Sequence, residues 1–260
     1  MKLISLNIWG GKAFEPLMKF IKKESAGTDI FCFQEVLRTA AGITESHGAR
    51  ANIYNDLAAA LPDFNGYFAE EQDGFDLEEM VDFNISYGKV IFIRKSAEVD
   101  SSGAIFVYGE KNSGKNGDIQ TLPASFQYVR IKMDGKNFTI CNLHGVFHPG
   151  HKLDTPERIA QSKKIIEFLK NENCAKILCG DFNLMPETES LKMIERENMI
   201  NLIKTYNISQ TRSSLSPFFG QSGFQKFADY VLVSPDVNVI NFSVPDVAVS
   251  DHLPLVLEFS

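Results

Sequence analysis

Residues 176–183 read KILCGDFN, an apolar run that ends in Gly180, Asp181 and Asn183. Ile177, Leu178 and Cys179 offer no polar side for water, so the run over 176–179 reads as a strand covered on both faces. Its carboxylate and carboxamide emerge where the strand stops, and in open α/β sheets that is where ligands sit. The same juxtaposition recurs at Leu6-Asn7, Gln34-Glu35, Asn142-Leu143-His144, Ala228-Asp229-Tyr230 and Ser250-Asp251-His252, the last followed by Leu253-Pro254. Acids, amides and imidazoles converging on one crevice suit a divalent metal and a phosphate.

Outward from that run, strand-like and helix-like segments alternate. Residues 2–7 and 29–33 read as strands, and between them Phe14, Leu17, Met18 and Ile21 fall on one helical face. Tyr54, Leu57, Ala58 and Leu61 mark a second helix, stopped by Pro62. Strands are expected over 88–93, 104–108, 124–133, 137–143, 228–233, 237–242 and 253–259. Thr155-Pro156-Glu157 has the hydroxyl cap, first-turn proline and acid of a helix start, with Ile159, Ile166 and Leu169 as the expected apolar face. A further helix is expected over about 187–197. Loops are expected over 71–86, 109–118 and 207–226, and two of them, 71–86 and 207–226, are natural candidates for substrate selection. With no internal repeat and no linker-like break, one α/β domain over 1–260 is expected.

The 260 residues are 44% hydrophobic and 23% charged, enough for a substantial core and not suggestive of disorder. A net charge of −7 argues against the basic footprint of a protein that lives on duplex nucleic acid. Cys32, Cys141 and Cys179 lie in apolar runs and Cys174 near a helix end, without metal spacing, so free buried thiols are expected. No apolar stretch is long enough for a membrane helix, and a strand already begins near Lys2; a cytoplasmic location is the expectation.

Each polar group has an ordinary reading when taken alone. Gly-Asp-x-Asn is compatible with a simple Asx turn, Glu35 with a salt bridge and His144 with a core hydrogen bond. Trp9 reads as packing, His148 and His151 as exposed loop residues, and Arg158 as an anchor of its helix through an ion pair; His47 has no visible partner. Occurring together, in order and at strand ends, the polar groups make coincidence a poor explanation.

In that order, Asn7 within LNIWGG, Gln34-Glu35-Val36, Asn142-Leu143-His144, Gly180-Asp181-Phe182-Asn183, Asp229-Tyr230 and Ser250-Asp251-His252-Leu253-Pro254 resemble the motifs of the endonuclease/exonuclease/phosphatase superfamily, also called deoxyribonuclease I-like. Arg158-x-x-Gln161 is a softer match. The resemblance spans residues 2–259 and implies a four-layer sandwich, two face-to-face mixed β-sheets flanked by helices. It also implies hydrolysis of a phosphate ester with Mg²⁺ or Mn²⁺, for which hard oxygen ligands are suited.

On that resemblance, Glu35 is the main metal ligand, with Asn7 and Asp251 nearby. His252 accepts the proton of an attacking water or supports the pentavalent state, and Asp229 fixes its tautomer. Asp181 and Asn183 hold the water and a phosphate oxygen, and Asp181 is the other candidate for the proton. His144 donates to phosphate, the kind of donor worth about 3–4 kcal/mol. His144 stands where abasic-site endonucleases of the superfamily carry tyrosine, and Phe147 where they carry asparagine, which argues against abasic-site repair. The expected partner is a phosphate ester: a small molecule, a lipid head group or a nucleic acid. A nuclease acting on DNA or RNA is the alternative, and needs a basic rim from Lys12, Arg38, Arg94, Arg130 and Arg212. A phosphate-binding pseudoenzyme would have lost a metal ligand or His252, and neither is lost.

Overall fold

The computed structural model describes residues 1–260. In chain order the sheet strands are β1 (Lys2–Asn7), β2 (Ile30–Arg38), β3 (Phe64–Asp73), β4 (Ser86–Arg94), β5 (Glu98–Tyr108), β6 (Ala124–Met133), β7 (Lys136–His144), β8 (Ala175–Asp181), β9 (Ile200–Asn201), β10 (Asp229–Val233), β11 (Val239–Ser243) and β12 (Leu255–Phe259). They form two six-stranded mixed sheets, ordered β11-β12-β1-β2-β4-β3 and β9-β10-β8-β7-β6-β5. The helices are α1 (Phe14–Ser25), α2 (Ile53–Ala60), α3 (Pro156–Lys170), α4 (Glu189–Glu195) and α5 (Leu202–Thr205).

Side-chain alternation divides the core. Leu3, Ile30, Cys32, Ile91 and Ile93 of the first sheet pack with Ile140, Leu178 and Val231 of the second. Their neighbours Ile4, Phe31, Phe33, Val90 and Phe92 face the other way and pack with Leu17, Met18 and Ile21 of α1 and Ile53 and Leu57 of α2. The period-two split is what a sheet covered on both faces requires. Ile165, Phe168 and Leu169 of α3 and Leu191 and Ile194 of α4 join the other core, so two sheets lie face to face with helices outside.

Each sheet has one parallel pair whose strands are joined through a helix, β1 with β2 through α1 and β7 with β8 through α3. Parallel register brings strand ends together. Asn7 stands beside Gln34, His144 stands beside Asp181, and antiparallel β10 opens with Asp229 opposite Asp181. Gln34 Nε2 donates to Asn142 Oδ1 at 2.5 Å across the sandwich, tying the two pairs at the floor of the crevice. Gly180 is a requirement of this packing: its φ is 128°, and a Cβ there would lie 2.0 Å from the Leu143 carbonyl oxygen.

Several expectations change. Strand β2 does not stop at 33 but runs to Arg38, with a bulge between Phe33 and Val36. Strand β3 was not anticipated; it takes the first residues of the expected 71–86 loop, leaving 74–85 as the connection. The buried face of α3 comprises Arg158, Gln161, Ser162, Ile165, Phe168 and Leu169, so Ile159 and Ile166 lie to its side. Arg158 makes no ion pair: its guanidinium donates to the carbonyls of Val146, Phe147, Pro149 and Leu153. Gln161 Oε1 accepts from Val146 N at 2.8 Å, so this polar stripe pins the segment that follows His144. His47 does have a partner, Asp76, 2.6 Å from its Nδ1. All four cysteines are free, and no helix is long and apolar enough to cross a membrane.

Candidate active site

The crevice lies at the C-terminal ends of both parallel pairs and is lined by Glu35, His144, Asp181, Asn183, Asp251 and His252, with Asn7 and Asp229 buried behind them. Asn7 Nδ2 is 2.9 Å from Glu35 Oε1 and 3.2 Å from Asp181 Oδ2, so one amide links the two sheets. Glu35 reaches this point because β2 is irregular. Gln34 already faces inward, and strict alternation would send Glu35 to the opposite face. Two residues, Gln34 and Glu35, oppose the single Lys89 of β4, and Glu35 takes a φ of 56°. The bulge re-aims the carboxylate into the crevice.

Burial, and then the charge of Asp251, push the Glu35 carboxyl up to about 8, with the Asn7 amide only partly opposing them. Burial also disfavours the Asp181 anion, but Lys152, His252, His144 and Arg212 offset it and hold that carboxyl well below the usual range. Asn183 donates its backbone N–H to Asp181 Oδ1 at 2.9 Å and adopts the left-handed φ of 53° that asparagine tolerates.

His252 Nδ1 lies 2.8 Å from Asp229 Oδ2, and its Nε2 is 3.6 Å from Asp181 and 2.6 Å from Arg212 Nη1. Donation from Nδ1 to Asp229 leaves the Nε2 lone pair facing Arg212. Burial and the guanidinium together lower His252 to about 4, which keeps the imidazole neutral. Arg212 also binds Asp251 Oδ2 at 2.7 Å. His144 Nδ1 is 2.9 Å from the Tyr87 hydroxyl, and its Nε2 is 3.8 Å from Glu35 and 4.0 Å from Asp181. With Tyr87 donating to Nδ1, Nε2 keeps its proton and presents a donor to the crevice.

Trp9 is not simply core packing. It is half-buried and lines the crevice together with Phe75, Leu77 and Phe147, around a cavity of about 230 Å³. His148 is half-buried against Tyr108 and Phe147, whereas His151 is exposed. Three participants were not recognised as site residues from the sequence alone: Tyr87, Lys152 and the His252-facing role of Arg212. Lys152 Nζ donates to Asn183 Oδ1. Nothing about a lone loop lysine or an in-strand tyrosine distinguishes it; only the fold brings them here.

Two donor sets could hold a cation. Glu35 and Asp251 supply hard oxygen and crowd one another, as the elevation of Glu35 records, whereas Asn7 turns its Nδ2 to Glu35 and Asp181 and its Oδ1 accepts from Trp9 N. Asp181, Asp229 and His252 also have ligand atoms within 4.8 Å of one another. Each set is partly engaged by the protein: Asp229 accepts from His252 Nδ1, Asp251 accepts from Arg212, and Glu35 accepts from the Asn7 amide.

The fold has close counterparts. A mannosyl-6-phosphatase of Bacteroides thetaiotaomicron VPI-5482 superposes with a TM-score of 0.72 at 18% identity, covering 100% of this chain and 99% of that one. An endonuclease/exonuclease/phosphatase family protein of Leptotrichia buccalis C-1013-b gives 0.74 at 15% identity, covering 100% and 99%. The human Nocturnin catalytic domain with bound sulfate gives 0.68 at 21% identity, covering 100% and 94%. No curated protein matches the chain. The model of the Endonuclease/Exonuclease/phosphatase family matches residues 4–252, a span that begins in β1 and ends on His252 itself. A match of that extent, over a sandwich whose two parallel pairs deliver the motif residues to one crevice, places the chain in the endonuclease/exonuclease/phosphatase family.

Proposed function

We propose that this protein is a divalent-metal-dependent phosphoesterase that hydrolyses its substrate by in-line attack of water. The observation that carries this reading is the meeting of an Asp229-braced, neutral His252 with Asp181 and the Glu35–Asp251 carboxylate set, beside which Asn7 donates to Glu35. Mg²⁺ or Mn²⁺ held by that set would supply a Lewis acid for the phosphate and leaving oxygens. The charge crowding at Glu35 is what a bound divalent cation would relieve.

The chain's own residues carry the rest. Asp181 and Asn183 orient the water, and His252 Nε2 takes its proton while Asp229 steadies the imidazolium. His144 donates from Nε2 to a non-bridging oxygen, its ring held by Tyr87. For proton transfer from water, the Arg212 guanidinium must slide off Nε2, and an arriving phosphate is a natural partner for it.

The rim favours a small ester over a polynucleotide. Of the cations a nuclease would need, only Lys12 and Arg212 line the crevice. Arg94 donates to the carbonyls of Ser25 and Thr28, Arg130 pairs with Glu172, and Arg38 stacks on Phe68. The test is a panel of a chromogenic monoester, a chromogenic diester, sugar and inositol phosphates, sphingomyelin and single- and double-stranded oligonucleotides, each with Mg²⁺ and with chelator. Turnover of a small ester that chelator abolishes is expected. Chelator-resistant turnover, or none on any substrate, contradicts the reading.

A further inference from the structure

We propose that Lys152 is a phosphate-binding residue of this crevice, its ammonium donating to a non-bridging oxygen of the substrate. The inference rests on the phosphoesterase reading and adds a cation that the motifs do not contain.

Lys152 lies in the segment between β7 and α3 that Arg158 and Gln161 pin. Its backbone is fixed in a left-handed conformation, φ 53°, and its carbonyl accepts from Met185 N at 2.9 Å. The side chain crosses to Asn183, next to Asp181, and its only hydrogen bond there is to the neutral Asn183 Oδ1. An ammonium has three donors, so two remain. Lys152 is half-buried and, although the charge of Asp181 lies nearby, forms no ion pair, so an arriving anion would find its free donors unspent.

Its location fits an anion. Lys152 lines a second cavity of about 380 Å³, which joins the catalytic crevice along Phe147, Asn183 and Arg212. Its head group, bonded to Asn183, therefore stands beside the junction of the two cavities. Among the positive groups that keep Asp181 ionised it is the foremost, which is a measure of how near its charge lies to the catalytic carboxylate.

A purely structural role is the competing explanation, in which Lys152 only orients Asn183. A neutral amide could do that, so the charge itself is the discriminating quantity. Coulomb energy scales with the product of the charges. Removing the positive charge should therefore cost a dianionic monoester about the square of the factor it costs a monoanionic diester.

The experiment compares wild type, Lys152→Gln and Lys152→Arg with Mg²⁺ on para-nitrophenyl phosphate and bis-para-nitrophenyl phosphate, with far-ultraviolet dichroism as a check of folding. In Lys152→Gln, a fall in kcat/KM of about 10-fold on the diester should accompany about 100-fold on the monoester. Lys152→Arg should recover most of both. Calorimetric titration with inorganic phosphate should show at least about 10-fold weaker binding to Lys152→Gln. Equal losses on the two esters with unchanged phosphate affinity overturn the proposal and leave Lys152 as a support for Asn183. If wild type turns over neither of these esters nor any other substrate of the panel, the phosphoesterase reading fails, and the phosphate titration still decides for or against Lys152. If Lys152→Gln does not fold, Lys152→Met and Lys152→Arg carry the same comparison.

Discussion

Asp229 and His252 form a buried pair in which the carboxylate lies 2.8 Å from Nδ1, while the opposite ring nitrogen is turned toward the crevice. The acid fixes the tautomer and leaves Nε2 as the acceptor. His252→Ala should lower kcat by about 10²–10⁴, the usual worth of a positioned general base. Asp229→Asn should also lower kcat, with KM little changed, because the amide permits the wrong tautomer. Because burial and Arg212 lower His252 to about 4, kcat/KM at saturating Mg²⁺ should hold as pH falls from 7 to 5 and drop toward pH 4 as the imidazole protonates. Steady-state kinetics over that range checks both statements; undiminished turnover in His252→Ala would remove the residue from the mechanism.

Glu35 gives a stability prediction with the opposite pH sense. Burial and Asp251 raise it from 4.5 to about 8 in the metal-free protein. The folded state therefore holds a proton that the unfolded chain releases, and its stabilising contribution is full below 4.5 and lost as pH rises through 8. Glu35→Gln abolishes that loss. In chelator at pH 8.5 the variant should melt above wild type by roughly 2–6 °C, the size expected of about 1–2 kcal/mol at this chain length. The gap should close near pH 5. His252, lowered from 6.5 to about 4, contributes stability above 6.5 that is lost toward 4, so the comparison is cleanest above pH 6.5. A variant that melts lower than wild type at pH 8.5 would mean that Glu35 is already neutralised by the protein.

The readability of these residues follows from where they sit. Asn7, His144, Asp181 and Asp229 terminate or open buried strands, so hydrophobic runs ending in polar groups announce them. Glu35 could be named but not placed, because a bulge with two residues against one leaves no mark in the pattern IFCFQEVLR. Strand β3, FNGYFAEEQD, escaped notice because it is an edge strand with half-buried sides and two adjacent acids. Arg158 reads as a helix anchor held by an ion pair; it is an anchor, but its partners are backbone carbonyls contributed by a loop, which no periodicity reveals.

Lys89 and Glu71 form a buried ion pair, 2.5 Å apart, beneath the site. Lys89 also donates to Ser125 Oγ at 2.9 Å and Glu71 accepts from Ser125 N at 2.6 Å, so the pair fastens β3 and β4 of one sheet to β6 of the other. Lys89→Met leaves a buried carboxylate without its cation and should cost roughly 3–5 kcal/mol. Adding Glu71→Leu should return most of that loss, since an apolar pair can replace a buried ionic one. Urea denaturation of the single and double variants measures the coupling; additive losses would show that the two side chains act independently.

Arg158 connects the stability of the fold to the position of Lys152. Its side chain is fully buried, and its guanidinium satisfies the carbonyls of Val146, Phe147, Pro149 and Leu153, at 3.1, 3.2, 2.7 and 2.7 Å. No single ammonium can span that fan of acceptors, so Arg158→Lys keeps the charge but leaves buried carbonyls unmet, each at a cost of about 1–3 kcal/mol. The segment 146–153 should then open locally before the sheets do, because its other ties, Gln161 to Val146 N, Met185 to Lys152 O and Lys152 Nζ to Asn183 Oδ1, are single hydrogen bonds. Limited proteolysis should cut Arg158→Lys within 146–153 under conditions that leave wild type intact, and kcat/KM should fall with Lys152 displaced. A variant equally protected and equally active would show that the loop holds its shape without the guanidinium.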